Sequence, residues 1–308
     1  MRPAWLQRAW RTGILATSVV ALLAAHPGLA ATSITTCPIT ITASGDYQLL
    51  ADLSCPGGGL TITADGVHVQ MGGHVLTGNG TGTGLSIVGT TADVDVQHGT
   101  LMGFAVGVRI AYAQGVNLVA VSATENATGL VLDHANKNEF TNTLVLNNMG
   151  DGIQAANSNH NVLTACLGNN NGGGGLVGLD FDDNVLTANG FHANAGNGLR
   201  LDRDSSGNGS SGNLLLSNDA SENLGTGIVL VDADGNTVKA NHVRGNSGTG
   251  IRVQAGSTQN LLQGNSAQQN TDLDVADLTL NPCTDNTWKS NNFATDSEGD
   301  GSQAGCLR

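Results

Sequence analysis

The sequence is poor in aromatic side chains and in charge. Phe, Trp and Tyr together make up 3% of its 308 residues, and charged residues make up 12%. Sugar rings are commonly held by stacking on aromatic rings, so this scarcity argues against a long groove that grips a sugar chain processively. Few charges and many glycines are also found in disordered chains, but disorder does not require the regular aliphatic spacing described below.

Basic residues are the scarcer of the two charge types. The chain has 12 Lys and Arg against 25 Asp and Glu, a net charge of −13. Nucleic acids and anionic membranes bind basic surfaces, so neither is an expected partner. Divalent cations or neutral surfaces suit this surface better.

Long apolar runs are missing beyond the first 30 residues. Arg2, Arg8 and Arg11 precede an apolar run over about 14–25, and small residues follow at 28–30. This pattern predicts a secretory signal peptide over 1–30 and an exported protein. No later segment approaches the roughly 20 apolar residues of a membrane span. The mature chain would carry nine basic and 25 acidic residues, a net charge of −16.

Five cysteines in an exported chain predict disulfides with one residue left over. Cys37 and Cys55 precede the repeats described next, and Cys283 and Cys306 follow them. Local pairing gives one disulfide at each end, and Cys166 is the odd residue.

A Gly-aliphatic-x-aliphatic phrase recurs along the chain. The steps between copies are 22 to 25 residues, with a single step of 29. Such regularity indicates a solenoid, in which each repeat buries its apolar face against its neighbours. The copies begin at Gly59, Gly84, Gly107, Gly129, Gly152, Gly175, Gly198, Gly227 and Gly250, and a degenerate copy is Asp272–Val275.

Each repeat contains short period-two alternations separated by Gly, Asn and Asp, which predict strands rather than helices. A unit of about 22 residues accommodates three strands and three turns, one coil of a parallel β-helix. We expect about nine or ten coils over 59–280, with an N-terminal cap over 31–58 and a C-terminal cap over 281–308. Trp288 and Phe293 are expected to cover the last coil. The 29-residue step is explained by a flexible loop over 204–212.

Asparagines recur at fixed places in the coil, which predicts hydrogen-bonded ladders of stacked amides. Cys166 falls in the second column, between Asn142 and Asn189, so a buried structural role is favoured over a nucleophilic one. The first column is Asn117, Asn138, Asn161, Asn184, Asn213, Asn236 and Asn260; the second is Asn142, Asn189, Asn218, Asn241 and Asn265; the third is Asn126, Asn148, Asn171, Asn194, Asn223 and Asn246.

With these features the chain resembles the right-handed parallel β-helix proteins of the pectate-lyase-like superfamily, and most closely its exported bacterial, NosD-like branch. The resemblance covers 59 to about 280 and extends to the Gly72–Gly78 stretch and the Cys-bounded end. It implies an all-β, right-handed parallel β-helix, in agreement with the usual hand of parallel crossovers.

The middle residue of each repeat phrase should face solvent. This column includes Arg109, Arg200, Arg252 and, in the degenerate copy, Asp274. The resemblance implies that mixed Arg and Asp on such a face serve polyuronate lyase or epimerase chemistry, which needs a base and a cation beside the sugar carboxylate. The alternative is a solvated face with turn-stabilising Asp residues. The predicted catalytic residues are Arg200, Asp202, Arg252 and Asp180, and the predicted binding residues are Asp232, Arg203 and Arg244.

The catalytic signatures of these enzymes are missing. There is no Asp-Pro-His run and no Gly-His-Gly, and Asp182-Asp183 is a weak match to a paired-Asp motif. Two hypotheses therefore stand side by side. The protein binds or processes an extracellular, acidic polysaccharide, or it is a non-catalytic, monomeric surface rod whose partner is a cell-surface component.

Two metal sites are further possibilities. The NosD-like resemblance raises a third hypothesis, a copper-accessory protein, with Met71, His68, His74, His98 and Met102 as candidate ligands in the first coils, although core packing of Met71 is the favoured interpretation. The tail carries Asp296, Glu298 and Asp300 at the spacing of a calcium loop, but Leu307 replaces its closing Glu. An acidic turn is the alternative there.

Overall fold

The computed structural model describes residues 31–297 and residue 307. The predicted signal peptide therefore lies outside the described residues. Within them the chain forms a parallel β-solenoid of about 11 coils, with one short helix, α1 (Pro282–Asp285). This exceeds the nine or ten coils predicted, because β2 of the expected N-terminal cap pairs in register with β5, Ile39 opposite Leu60. No helix in this range is long and apolar enough to cross a membrane.

Three faces make up each coil, and strands are numbered in chain order. The first face is a 16-stranded sheet, whose main path and four side strands follow. The path is β1 (Thr32–Ile34), β3 (Gly45–Leu49), β6 (Val67–Gln70), β9 (Val94–Met102), β11 (Val116–Thr124), β13 (Glu139–Thr141), β16 (Val162–Thr164), β19 (Val185–Thr187), β21 (Leu214–Leu216), β23 (Thr237–Lys239), β26 (Leu261–Gln263) and β29 (Thr287–Lys289); the side strands are β4 (Leu53–Ser54), β7 (Val75–Thr77), β14 (Leu144–Leu146) and β17 (Leu167–Asn169).

The second face is an 11-stranded sheet, with one strand from each coil. The side strands of the first sheet begin a third face, which ends in a pair formed by β24 (His242–Arg244) and β27 (Ser266–Gln268). The 11-stranded sheet consists of β2 (Ile39–Ile41), β5 (Leu60–Ile62), β8 (Thr83–Val88), β10 (Val106–Ala111), β12 (Thr128–Asp133), β15 (Ile153–Ala156), β18 (Leu176–Leu179), β20 (Leu199–Asp202), β22 (Ile228–Leu230), β25 (Ile251–Val253) and β28 (Val275–Asp277).

Close contact between coils explains why the repeat phrase begins with glycine. A Cβ atom on Gly152 would lie 2.8 Å from the Gly175 carbonyl oxygen and 2.6 Å from Nδ2 of Asn171. Neither distance leaves room for a methyl group. The glycine is therefore required by the approach of the next coil.

Alternation along each strand fills the core. In β10, Val108 and Ile110 are buried while Arg109 between them faces out. Four of the five phenylalanines are fully buried, so most of the few aromatic rings pack in the core. They are Phe104, Phe140, Phe181 and Phe191.

The predicted asparagine ladders are confirmed, with corrections at their N-terminal ends. Consecutive side chains are joined by Nδ2-to-Oδ1 hydrogen bonds of 2.9–3.2 Å. Asn117 does not belong to the first ladder, because its strand neighbour in the next coil is Glu139, while Asn138 accepts from the Val116 N–H. Asn142 does not belong to the second ladder, because it lies one residue before the ladder position, at a corner where its φ is 51°. Counting a fixed number of residues from one repeat to the next does not distinguish a ladder position from the corner beside it.

Cys166 stacks next to the ladder of Asn189, as expected, and is 1% exposed. Its N-terminal neighbour in the column is Thr143, since Leu144 pairs with Leu167. The thiol donates to the carbonyl oxygen of Phe140 at 3.3 Å. Burial raises the pKa of the Cys166 thiol to about 11, so the reactive thiolate is almost absent at neutral pH.

We therefore expect Cys166 to resist alkylation at pH 8 in the folded protein and to be alkylated rapidly in guanidinium chloride. Peptide mass spectrometry after iodoacetamide treatment follows this residue separately from the other cysteines. A Cys166→Ser variant identifies the modified peptide. Rapid alkylation of the native protein would show that the thiol is not buried as described.

The predicted Cys37–Cys55 disulfide is present, with a Cα–Cα distance of 5.2 Å. The predicted Cys283–Cys306 pair lies outside the described side chains. Towards the C-terminus, Trp288 belongs to the core and Phe293 packs against it. The Trp288 indole N–H donates to Asp277 at 2.9 Å.

Candidate functional site

The outer surface of the 11-stranded sheet carries the column predicted from the repeat phrase. Arg109 pairs with Val131, Gln154 with Val177, and Val177 with Arg200, so their side chains form one row across the coils. The last position was predicted wrongly. Ala276 rather than Asp274 lies opposite Arg252, and Asp274 is buried, where it accepts from the Asn270 amide at the end of the third ladder.

A second row runs beside the first. Asp133, Ala156, Leu179 and Asp202 are successive neighbours in register. Both rows thus have a charged residue at each end, and the residues between are small or apolar except for Gln154 in the first row. Arg109 and Arg200 are four strands apart, or roughly 19 Å at the usual strand spacing.

The space between these ends is a groove of about 360 Å³. Val131, Ala156, Val177 and Leu179 supply its apolar surface. Asp151 and Gln154 form a polar wall and are joined by a hydrogen bond of 2.8 Å from the Gln154 amide. An apolar floor with a few fixed polar groups is typical of small-ligand sites.

Four connected side chains lie at the N-terminal end of the groove, where Arg109 and Asp133 line it; they are here called the Arg109 cluster: Arg109, Tyr112, Asp133 and His134. The Arg109 guanidinium donates to Asp133 at 2.7 Å. The other Asp133 oxygen lies 2.8 Å from Nδ1 of His134. Because Asp133 accepts from Nδ1–H, Nε2 of a neutral His134 is left as a proton acceptor. The Tyr112 ring stacks on His134 with a centroid distance of 4.7 Å.

One strand beyond Val177 and Leu179, Arg200 and Asp202 form what we call the Arg200 cluster, and Asp180 lies at the corner after β18. Nε of Arg200 donates to Asp202 at 2.9 Å, and a second guanidinium N–H reaches the same oxygen. Burial raises the pKa of Asp180, and the nearby carboxylates of Asp182 and Asp204 raise it further. A carboxyl group that stays protonated to higher pH than usual is able to act as a proton donor.

The other predicted site residues fall in three places. Arg203 reaches Asp232 at 3.0 Å, one corner beyond Arg200. Arg252 lies two strands from Arg200 on the same sheet, and its buried Nε has no hydrogen-bond partner among the described residues. Arg244 is on β24 of the third face, where it donates to Gln269, so the fold does not bring it to the groove.

Several neighbouring acids have structural contacts instead. Asp182 accepts from the backbone N–H and hydroxyl of Ser211, and Asp234 does the same for Thr258. Asp204 accepts backbone N–H groups inside the 204–212 loop. These contacts stabilise corners, as the alternative of turn-stabilising Asp residues predicts.

The candidate copper ligands are separated by the β alternation. Met71 is in the core with 0% exposure, whereas His68 points outward. His68 instead lies between Asp95, at 2.9 Å, and Asp93, at 3.8 Å. His74 contacts Asp52. A site that combines the Met71 sulfur with these imidazoles does not form.

The candidate calcium loop is described only in part. Asp296 forms a bridge with Val275, while Glu298 and Asp300 lie outside the described residues.

Residues 106–267 match the family model of the right handed beta helix region. The chain belongs to this family. The predicted right-handed β-helix is thereby confirmed. The matched range includes both ends of the groove. No curated protein matches the chain.

Solved structures of right-handed β-helix proteins share this architecture at low sequence identity. The A-module of the Azotobacter vinelandii mannuronan C-5 epimerase AlgE4 is 18% identical, with a TM-score of 0.71 over 82% of this chain and 81% of its own. The Dettilon tailspike protein is 14% identical, with a TM-score of 0.73 over 86% of this chain and 60% of its own. The periplasmic alginate epimerase AlgG is 14% identical, with a TM-score of 0.53 over 82% and 74%. These similarities establish the shared fold.

Sequence reasoning missed most of the Arg109 cluster. The sequence places Arg109 in the outward column, but it does not show the contacts of Arg109 with its cluster. Asp133 and His134 lie in the next coil, and Tyr112 lies beyond the corner after β10. One signal was available. Tyr112 and His134 both fall five residues after a repeat glycine, Gly107 and Gly129, so the period stacks them.

Proposed function

We propose that this protein is exported and binds or processes an acidic polysaccharide in the groove of the 11-stranded sheet. The observation that carries the proposal is the groove itself, an apolar strip with Arg109 and Asp133 at one end and the Arg200–Asp202 pair one strand beyond the other. Its long axis crosses the coils, so an extended chain of sugars fits it better than a compact ligand. The similar structures include a mannuronan C-5 epimerase module and an alginate epimerase, which supports an acidic sugar chain. The Cys37–Cys55 disulfide supports an oxidising compartment.

Chemistry at this site would begin with removal of the proton next to the sugar carboxylate. Nε2 of His134 is positioned as a base, and an Arg guanidinium would offset the developing negative charge. Return of that proton by the His134 imidazolium to the departing glycosidic oxygen leaves a C=C bond that absorbs in the ultraviolet, whereas reprotonation of the carbon by water from the other face inverts it.

A non-catalytic rod is the second candidate. The observation that favours it is that Arg109 and Arg200 are already paired with Asp133 and Asp202. An acidic sugar would have to compete with these two Asp carboxylates for the guanidinium groups, whose positive charge the carboxylates already offset. Arg252, which has no acidic partner among the described residues, is the exception on this face.

Binding to pectate, alginate and glycosaminoglycan chains tests the proposal, with ultraviolet absorbance and proton NMR of the products as readouts of turnover. We expect Arg109→Ala to weaken binding about tenfold, because it removes the cation at one end of the groove. The matched control is Lys239→Ala, which removes a cation from the outer face of β23 on the 16-stranded sheet. Retention of acidic chains without turnover would favour the rod, and the absence of any retention would refute the proposal.

A further inference from the structure

Tyr112 is unusual among the aromatic residues of this chain. Its side chain is 63% exposed, whereas the other described Phe, Tyr and Trp side chains are buried or partly buried. Among the described aromatic side chains, it is therefore the ring that offers a flat surface to a ligand in solution. The ring lies at the corner that follows β10, directly beside the N-terminal end of the groove.

One face of the Tyr112 ring is held by a chain of contacts. It stacks on His134 in the next coil at an interplanar angle of 16°. His134 is fixed by Asp133, which in turn binds Arg109. The ring is therefore oriented by the same side chains that form the end of the groove. Such a ring loses little conformational entropy when a ligand binds to it.

The other face of the ring is open. Val88 pairs with Ala111, so the residue beside Tyr112 in the preceding coil is Gly89. Gly89 has no side chain, and a Cβ atom built on it would meet nothing within 4 Å. The stack of corner residues thus stops at Tyr112 and leaves a flat aromatic surface in the coil of Arg109, facing the preceding coil.

We propose that Tyr112, supported by His134, is a sugar-binding subsite in which the C–H face of a pyranose ring stacks on the open side of the phenol. The subsite extends the groove by one sugar at its N-terminal end, with Arg109 close enough to bind a hydroxyl or carboxylate of the same chain. This inference rests on the proposed function. Stacking depends on the ring and not on the phenol hydroxyl, which separates this role from a catalytic one.

Isothermal titration with oligosaccharides of the polymer that the wild-type protein retains tests the subsite. Tyr112→Ala is expected to raise Kd about tenfold, and Tyr112→Phe to leave it within about twofold of wild type. The matched control is Leu224→Ala, which removes an equally exposed apolar side chain from another corner. In NMR spectra of the bound sugar, the C–H protons should shift upfield with wild type and Tyr112→Phe but not with Tyr112→Ala.

The possible failures are distinguishable. Equal affinity of wild type and Tyr112→Ala for a retained sugar would overturn the subsite and leave the proposed function standing. A Tyr112→Phe loss as large as that of Tyr112→Ala would assign the effect to the hydroxyl and overturn stacking. If the wild-type protein binds no polysaccharide, both the subsite and the proposed function fail. Equal unfolding midpoints of the variants exclude a loss of fold as the cause.

Discussion

Replacing Asn194 by alanine is expected to lower the free energy of unfolding by about 4 kcal/mol. Asn194 is fully buried in the middle of the third ladder. Its Nδ2 donates to the Gly168 carbonyl and to Asn223, and its Oδ1 accepts the backbone N–H and the side-chain amide of Asn171. Alanine removes one partner from each of these groups; Asn223 Oδ1 and Asn171 Nδ2 keep another, but the buried Asn171 N–H is left unpaired, away from water that could replace the amide.

Guanidinium unfolding followed by circular dichroism measures this effect. The matched control is Asn292→Ala, because Asn292 is exposed and its backbone, not its side chain, pairs with Ser266. We expect the control to stay within about 0.5 kcal/mol of wild type. Similar unfolding midpoints for the two variants would mean that the ladder adds little to stability.

Filling the groove is expected to have the largest effect on function. Ala156 lies at its centre, between Asp133 and Leu179 in the second row. Ala156→Trp would place an indole where the sugar chain is proposed to lie, with an expected loss of affinity on the order of 100-fold. Because residue 156 points outward and is only partly buried, the core is not expected to change.

Thr164→Trp is the matched control for this variant. Thr164 ends β16, and its side chain is partly exposed on the outer face of the 16-stranded sheet, away from the groove. Titration of the retained polysaccharide should give wild-type affinity for Thr164→Trp. Undiminished binding by a folded Ala156→Trp protein would place the ligand on another face.

The fold was predictable because the same structural constraint applies in every coil and therefore produces a repeat in the sequence. Glycine recurs where the next backbone approaches, and asparagine recurs where amides stack, so both appear in the sequence at a constant period. The errors fall where that period is broken. Asp274 was placed opposite Arg252 by counting from a degenerate copy, but Ala276 takes this position. Asn142 was counted into a ladder that continues through Thr143.

The candidate site was less predictable, because it depends on single side chains rather than on the repeated ones. Arg200 and Asp202 were predicted together because they are two residues apart on one strand. The contacts of Arg109 with Asp133, and of Tyr112 with His134, cross from coil to coil at one place only. A count of aromatic residues also gave no indication that the single exposed ring among the described residues lies beside the groove.

The 204–212 loop leaves the stacking untouched, since Leu199 on one side and Ile228 on the other remain register partners. A gene encoding this protein could therefore gain or lose whole 23-residue units by unequal recombination, and each product would still stack. Every such event between Arg109 and Arg200 would move the two charged ends apart or together by one strand spacing, roughly 4.8 Å. The length of ligand accepted would then evolve in discrete steps, independently of the residues that contact it.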